Sequence, residues 1–189
     1  MQTMRYRKQA NRGFTLIELL IVIGIIAVMV AVLALAVLPW LSKSEEKATT
    51  SIMQQVGGLL NDTKTGYSVQ KFRKDAGKLS GKINDKVASA QLLVFYFAPS
   101  KEVWDTADYY KNQNYAPKVQ PSDWQSFIKQ DGDQLPYLCD AWGTALEYTY
   151  DKTANAVVVK SAGEDTKFGT DDDFIFDGRN NKVIKVSDR

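Results

Sequence analysis

Hydrophobic residues follow three different rhythms along this chain. From Leu19 to Leu41 there are 23 residues without a charge, rich in Ile, Val, Leu and Ala. As a helix rising about 1.5 Å per residue, that run is long enough to cross a hydrocarbon layer of ~30 Å. From Ser42 to Leu60 the apolar positions thin to Ala48, Ile52, Met53, Val56, Leu59 and Leu60. The i, i+4, i+5, i+8 spacing predicts that the helix continues past the apolar run with a single buried face. Pro39 lacks the donor for its i−4 bond and predicts a kink. Gly57-Gly58 weakens the helical pattern, and Asn61-Asp62 is its predicted end.

The third rhythm is that of strands, and it dominates the C-terminal part. "TALEYTY", the turn "DKTAN" and "AVVVKS" predict a β-hairpin, and "DFIF", "DGRNN" and "KVIKV" predict two further strands. Between helix and hairpins the pattern is weaker. Residues 63–88 are polar and read as loop with one short helix. "SAQLLVFYFAP", from Ser89 to Pro99, is apolar throughout; it fits a buried strand or a buried helix, and its aromatic and β-branched content favours the strand. Trp104, Tyr109, Tyr110, Tyr115 and Trp124 supply rings that either line a groove or fill and cover a core, the commoner use. A helix followed by antiparallel strands predicts an α+β fold.

Charge changes this picture at one end only. The 189 residues carry 24 basic and 22 acidic side chains, a balance without the excess expected of a nucleic-acid binder. Arg5, Arg7, Lys8 and Arg12 all precede Phe14, and that stub has no acid; without residues 1–13 the chain holds 20 basic and 22 acidic groups. A basic stub ahead of an apolar span predicts a cytoplasmic N-terminus and an exported remainder. The chain has no histidine, which removes the commonest general base and transition-metal ligand. Cys139 stands alone, so neither an intrachain disulfide nor a paired-cysteine zinc site can form.

Glu18 is the anomaly. A carboxylate at the entrance of a membrane segment costs about 2.5–3.5 kcal/mol at mid-bilayer and less near the interface. A secretory signal peptide is one reading of the region, since Ala34-Leu35-Ala36 has a small-x-small form, but an apolar stretch reaching Leu33 is at the long limit for that role, and an h-region there would hold the charged Glu18. A plain single-span anchor accounts for the length and leaves the acid without a purpose.

Gly13 followed by Phe14-Thr15-Leu16-Ile17-Glu18, and continuing through Leu19-Leu20, resembles the processing motif of type IV pilins and of the pseudopilins of type II secretion. The resemblance implies that residues 1–13 are a leader, that a prepilin peptidase cuts after Gly13 and N-methylates Phe14, and that Glu18 serves filament assembly. It also implies a pilin-like architecture, with a transmembrane assembly helix over 14–41, its continuation over 42–62 and an exported domain over 63–189. A physical rationale accompanies the motif. Cleavage exposes an amine at Phe14, at the positive end of a helix, and a nearby carboxylate in a low-dielectric setting can neutralise it within or between subunits.

A second constellation lies at "SAGEDTKFGTDDDF", where Glu164, Asp165, Asp171, Asp172 and Asp173 place five carboxylates within ten residues. Such a loop is either solvated or neutralised by a hard cation, and glycines that permit tight turns suit Ca²⁺; the spacing is not that of an EF-hand. "DAWGTALEY" (Asp140–Tyr148) followed by this loop is similar to the C-terminal signature of the major pseudopilin, although Ala141 stands where that family commonly has proline. That likeness implies calcium held by Asp165, Asp172 and Asp173, with backbone carbonyls near Ala162 and Lys167; Asp171 is an additional candidate, since the triple aspartate leaves the alignment ambiguous by one residue.

The expected protein is therefore a structural subunit of a pilus-like filament rather than an enzyme. Its implied partners are further copies or other pseudopilins, the prepilin peptidase and an inner-membrane assembly platform, with no nucleic acid. A type IV pilin or minor pilin is the alternative, and the lack of a C-terminal cysteine pair favours the pseudopilin. A membrane-anchored enzyme using Mg²⁺ on the acidic loop would need a nucleophile–base pair or a phosphate-cradling loop, and the sequence has neither.

Overall fold

The computed structural model of the chain describes residues 14–62 and 67–188. The leader 1–13, with the scissile Gly13, lies outside the described residues. The chain divides into two compact units at Leu41/Ser42.

The long helix, α1, spans Leu16–Asp62 and includes position 39. Its first part carries the apolar run, and the large hydrophobic side chains described there are exposed, from 44% at Val22 to 88% at Leu16. By length and composition it is the one helix among the described residues able to cross a membrane. Its second part belongs to the Ser42–Arg189 unit. Thr49, Ile52, Met53, Val56 and Leu60 are buried there, the single face expected from the spacing.

The rest of that unit is α+β. α2 (Val69–Ala76) begins at Ser68, whose hydroxyl accepts the Lys71 N–H at 3.1 Å, and runs into a 3-10 turn over Gly77–Lys82. α3 (Ala88–Phe97) and α4 (Lys101–Thr106) follow. β1 (Ile128–Lys129) and β2 (Tyr137–Leu138) form a two-stranded antiparallel ribbon. β3 (Glu147–Asp151), β4 (Ala156–Ser161), β5 (Phe174–Asp177) and β6 (Lys182–Lys185) form an antiparallel meander in the order β3-β4-β5-β6. Both predicted hairpins are present.

The segment after Ser89 corrects the expected strand. It is helical, and from Ala90 to Ala98 every residue is buried. A helix buried on all sides shows no amphipathic period, so its sequence cannot be told from a core strand by rhythm. Its one amide, Gln91, is fully buried and satisfied: Oε1 accepts the Asn84 N–H at 2.9 Å and Nε2 donates to the Leu135 carbonyl at 2.6 Å. Residues 67–88 also hold more helix than one short piece.

The aromatic middle packs over α3. Trp104 stacks on Tyr110 with ring centroids 4.0 Å apart, Tyr110 donates its hydroxyl to the Phe95 carbonyl, and Trp124 is fully buried, its Nε1 donating to Gln55 on α1 at 3.3 Å. Tyr109 and Tyr115 remain partly exposed.

Candidate functional site

Two regions carry the residues singled out by sequence. At the start of α1, Thr15 and Glu18 form a reciprocal capping box. The Thr15 N–H and hydroxyl donate to Glu18 Oε2 at 2.9 and 2.7 Å, and the Glu18 N–H donates to Thr15 Oγ1 at 3.3 Å. A helix leaves its first N–H groups without internal partners, and a threonine with an acid three residues later satisfies two of them. Glu18 thus has a local partner, which the anchor reading of the sequence did not supply. The Thr-x-x-Glu pattern is visible in the sequence and was the available signal. Phe14, just ahead, is 83% exposed.

The acidic loop joins β4 to β5. Its carboxylates face backbone amides: Asp165 Oδ1 accepts from Lys167 N–H at 2.8 Å, Asp172 Oδ2 from Asp165 N–H at 2.9 Å, and Asp173 Oδ2 from Gly169 N–H at 2.7 Å. Their other contacts meet at Thr170. Its Oγ1 lies 2.7 Å from Asp172 Oδ1, 3.1 Å from the Lys167 carbonyl, and 3.4 Å from both Asp165 Oδ1 and Asp173 Oδ1. A hydroxyl has one proton for these four acceptors. The other approaches set lone pairs against lone pairs, an oxygen-rich arrangement whose chemistry suits a hard cation.

The side chains themselves are not drawn into a ready-made centre: among the described residues no group of three or more Asp, Glu or Cys side chains stands close enough to hold a metal. Burial opposes ionisation of Asp172, but the Thr170 hydroxyl and the backbone amides of Asp165, Asp172 and Glu164 outweigh it and hold the carboxyl below its ordinary range.

Of the residues expected at this site, Asp165, Asp172, Asp173 and the Lys167 carbonyl come together around Thr170. Asp171 does not join them; it is exposed, and its carbonyl accepts the Ser187 N–H at 2.9 Å. Ala162 is fully buried at the start of the loop and makes none of the contacts around Thr170. Glu164 turns away and accepts the Ser42 hydroxyl at 3.1 Å. Thr170 itself was missed, since a lone threonine among aspartates carries no sequence signal.

Residues 8–34 match the prokaryotic N-terminal methylation motif. The match runs from the basic stub across Gly13, Phe14 and Glu18 into the exposed apolar part of α1. No curated protein and no solved structure matches the chain. With a long N-terminal apolar helix and small antiparallel sheets, the architecture is α+β and pilin-like. The motif supports a pilin-type, membrane-associated subunit that is processed at its N-terminus and assembled into filaments.

Proposed function

We propose that this protein is a pseudopilin of a type II secretion system, a filament subunit that helps move exported proteins across the outer membrane. The observation that carries the reading is the methylation motif placed directly at the start of an exposed apolar helix that continues into a pilin-like α+β domain. In this reading prepilin peptidase removes residues 1–13 and methylates the amine of Phe14. The helix over 14–41 holds the subunit in the inner membrane with the domain outside, and Glu18 pairs with the amine of a neighbouring subunit as the filament grows. The acidic loop favours this over a type IV pilin or minor pilin, which shares the N-terminal chemistry. Mass spectrometry of the mature chain tests the processing step. The expected product begins at N-methylated Phe14; one beginning at any other residue removes the amine that Glu18 would meet.

The acidic loop would bind calcium through Asp165, Asp172, Asp173 and the Lys167 carbonyl, with the Ala162 carbonyl and Asp171 as outer candidates. The four oxygens around one Thr170 proton support that donor set. Calcium would supply the positive charge that five neighbouring carboxylates lack. Binding only to the folded state adds RT ln(1 + [L]/Kd), about 2.7 kcal/mol at ~100-fold excess over Kd. For a chain of this size that is a rise in melting temperature of roughly 5–10 °C. Thermal melting of the full chain in detergent, with calcium and then with chelator, should show the shift, and Asp165→Ala and Asp172→Ala should abolish it. Identical midpoints with and without chelator would eliminate the site.

A further inference from the structure

Beneath the acidic loop runs a buried chain of polar groups that takes no part in the oxygen cluster at Thr170. It starts on α1, where Thr49 is fully buried and its Oγ1 accepts the Ala141 N–H at 3.1 Å. The neighbouring Asp140 is 1% exposed. Its Oδ1 accepts the Thr144 N–H at 2.8 Å, and its Oδ2 accepts the Ser161 hydroxyl at 2.7 Å. Ser161 ends β4, is itself fully buried, and accepts the N–H of Gly163 at 3.2 Å. Gly163 sits at φ +67°, and a Cβ there would lie 2.3 Å from the Asp172 carbonyl oxygen, so the two limbs of the loop touch at this glycine.

The two oxygens of Asp140 therefore reach two separate segments, the turn that leads into β3 and the end of β4. The single hydroxyl proton of Ser161 is committed to Asp140, which leaves its lone pairs for Gly163. Burial pushes the Asp140 carboxyl above its ordinary range, against hydrogen bonds from Ser161, Thr144, Gly143 and Trp142. A buried charge is weak as a source of stability, and its better-attested use is to fix one arrangement among several.

We propose that Asp140 is the positioning residue of the acidic loop, fixing Gly163 through Ser161 and tying the base of the loop through Ala141 to Thr49 of α1, so that order in the loop and the seating of that helix face are linked. None of these residues is among the expected calcium ligands. The ion enters only through the calcium reading, on which the metal arm of the test rests.

Hydrogen exchange on the full chain in detergent tests the link, first without calcium. Ser161→Ala is expected to speed exchange of the Gly163–Gly169 amides about tenfold while the β3–β4 amides keep their protection, the loss expected for one buried hydrogen bond. Thr49→Val, isosteric and outside the loop, is expected to speed the same amides about threefold. Asp140→Asn keeps an acceptor for Thr144 and offers an N–H to Ser161, so it should hold the loop near wild type where Asp140→Ala does not. If Ser161→Ala also loses strand protection, Thr49→Val and the Asn/Ala pair at position 140 decide. Wild-type exchange at 163–169 in Ser161→Ala and in Thr49→Val would overturn the proposal. Calcium chloride should slow loop exchange in the wild type, with Ser161→Ala needing about tenfold more. A wild-type loop indifferent to calcium removes the metal reading alone, and the ion-free comparison still decides the positioning role.

Discussion

Glu18→Gln is expected to insert into the membrane and to be cleaved after Gly13 at the normal rate, yet to enter filaments at least tenfold less than wild type. The choice of glutamine follows from the capping box. Glutamine at this position still accepts the Thr15 N–H, so the helix start survives and only the charge is lost. In the proposed assembly a neutral amide could not form the ion pair with the Phe14 amine of a neighbour, a pair that would be far stronger at the low dielectric of a membrane than in water. Thr15→Ala makes the opposite change. It removes the hydroxyl partner at a cost of about 1 kcal/mol and leaves the carboxylate in place, so incorporation should fall much less. Membrane fractionation measures insertion, and recovery of sheared filaments measures assembly. If Glu18→Gln assembles normally and Thr15→Ala does not, Glu18 is a helix cap and has no charge role in assembly.

The contrast between the two ends of α1 shows what could be read from the sequence. The apolar span, the buried stripe through Ile52, Met53, Val56 and Leu60 and both hairpins follow from short-range pattern, because each is a long uncharged run, buries a single face or is bounded by a clear turn. α3 did not follow, because it is buried on every side and its residues serve a helix core as well as a strand core. The carboxylates of the acidic loop were legible as a cluster. Their convergence on Thr170, and the exclusion of Asp171 from it, depend on how the loop turns between β4 and β5. In the sequence Asp140 stands only as part of a motif; its connection to Gly163 passes through Ser161, 21 residues away, and no local pattern records such a contact.

The glycine pair of α1 gives the sharpest test of the fold that carries these sites. Gly57→Ala and Gly58→Ala are adjacent, chemically identical changes, and they are expected to move stability in opposite directions. Helix propensity alone favours both, by about 1 kcal/mol each. At Gly58 an added Cβ meets nothing within 4 Å, so that gain should appear. At Gly57 the Cβ would fall 2.3–2.4 Å from three ring carbons of Phe176, closer than real Cβ atoms come. Phe176 cannot yield easily: it is fully buried, and in the sheet it is held between Val159 on β4 and Val183 on β6. Overpacking of this kind costs about 1–3 kcal/mol and outweighs the propensity gain. Gly57→Ala should therefore lower the melting temperature by several degrees, at roughly 2–4 °C per kcal/mol. Phe176→Leu in the same chain should recover part of the loss, since the two positions share one contact and their effects are not additive. Equal shifts of the same sign from Gly57→Ala and Gly58→Ala would mean that α1 and β5 do not approach this closely. The sheet would then lack the fixed distance from the helix that sets Lys185 against Glu46.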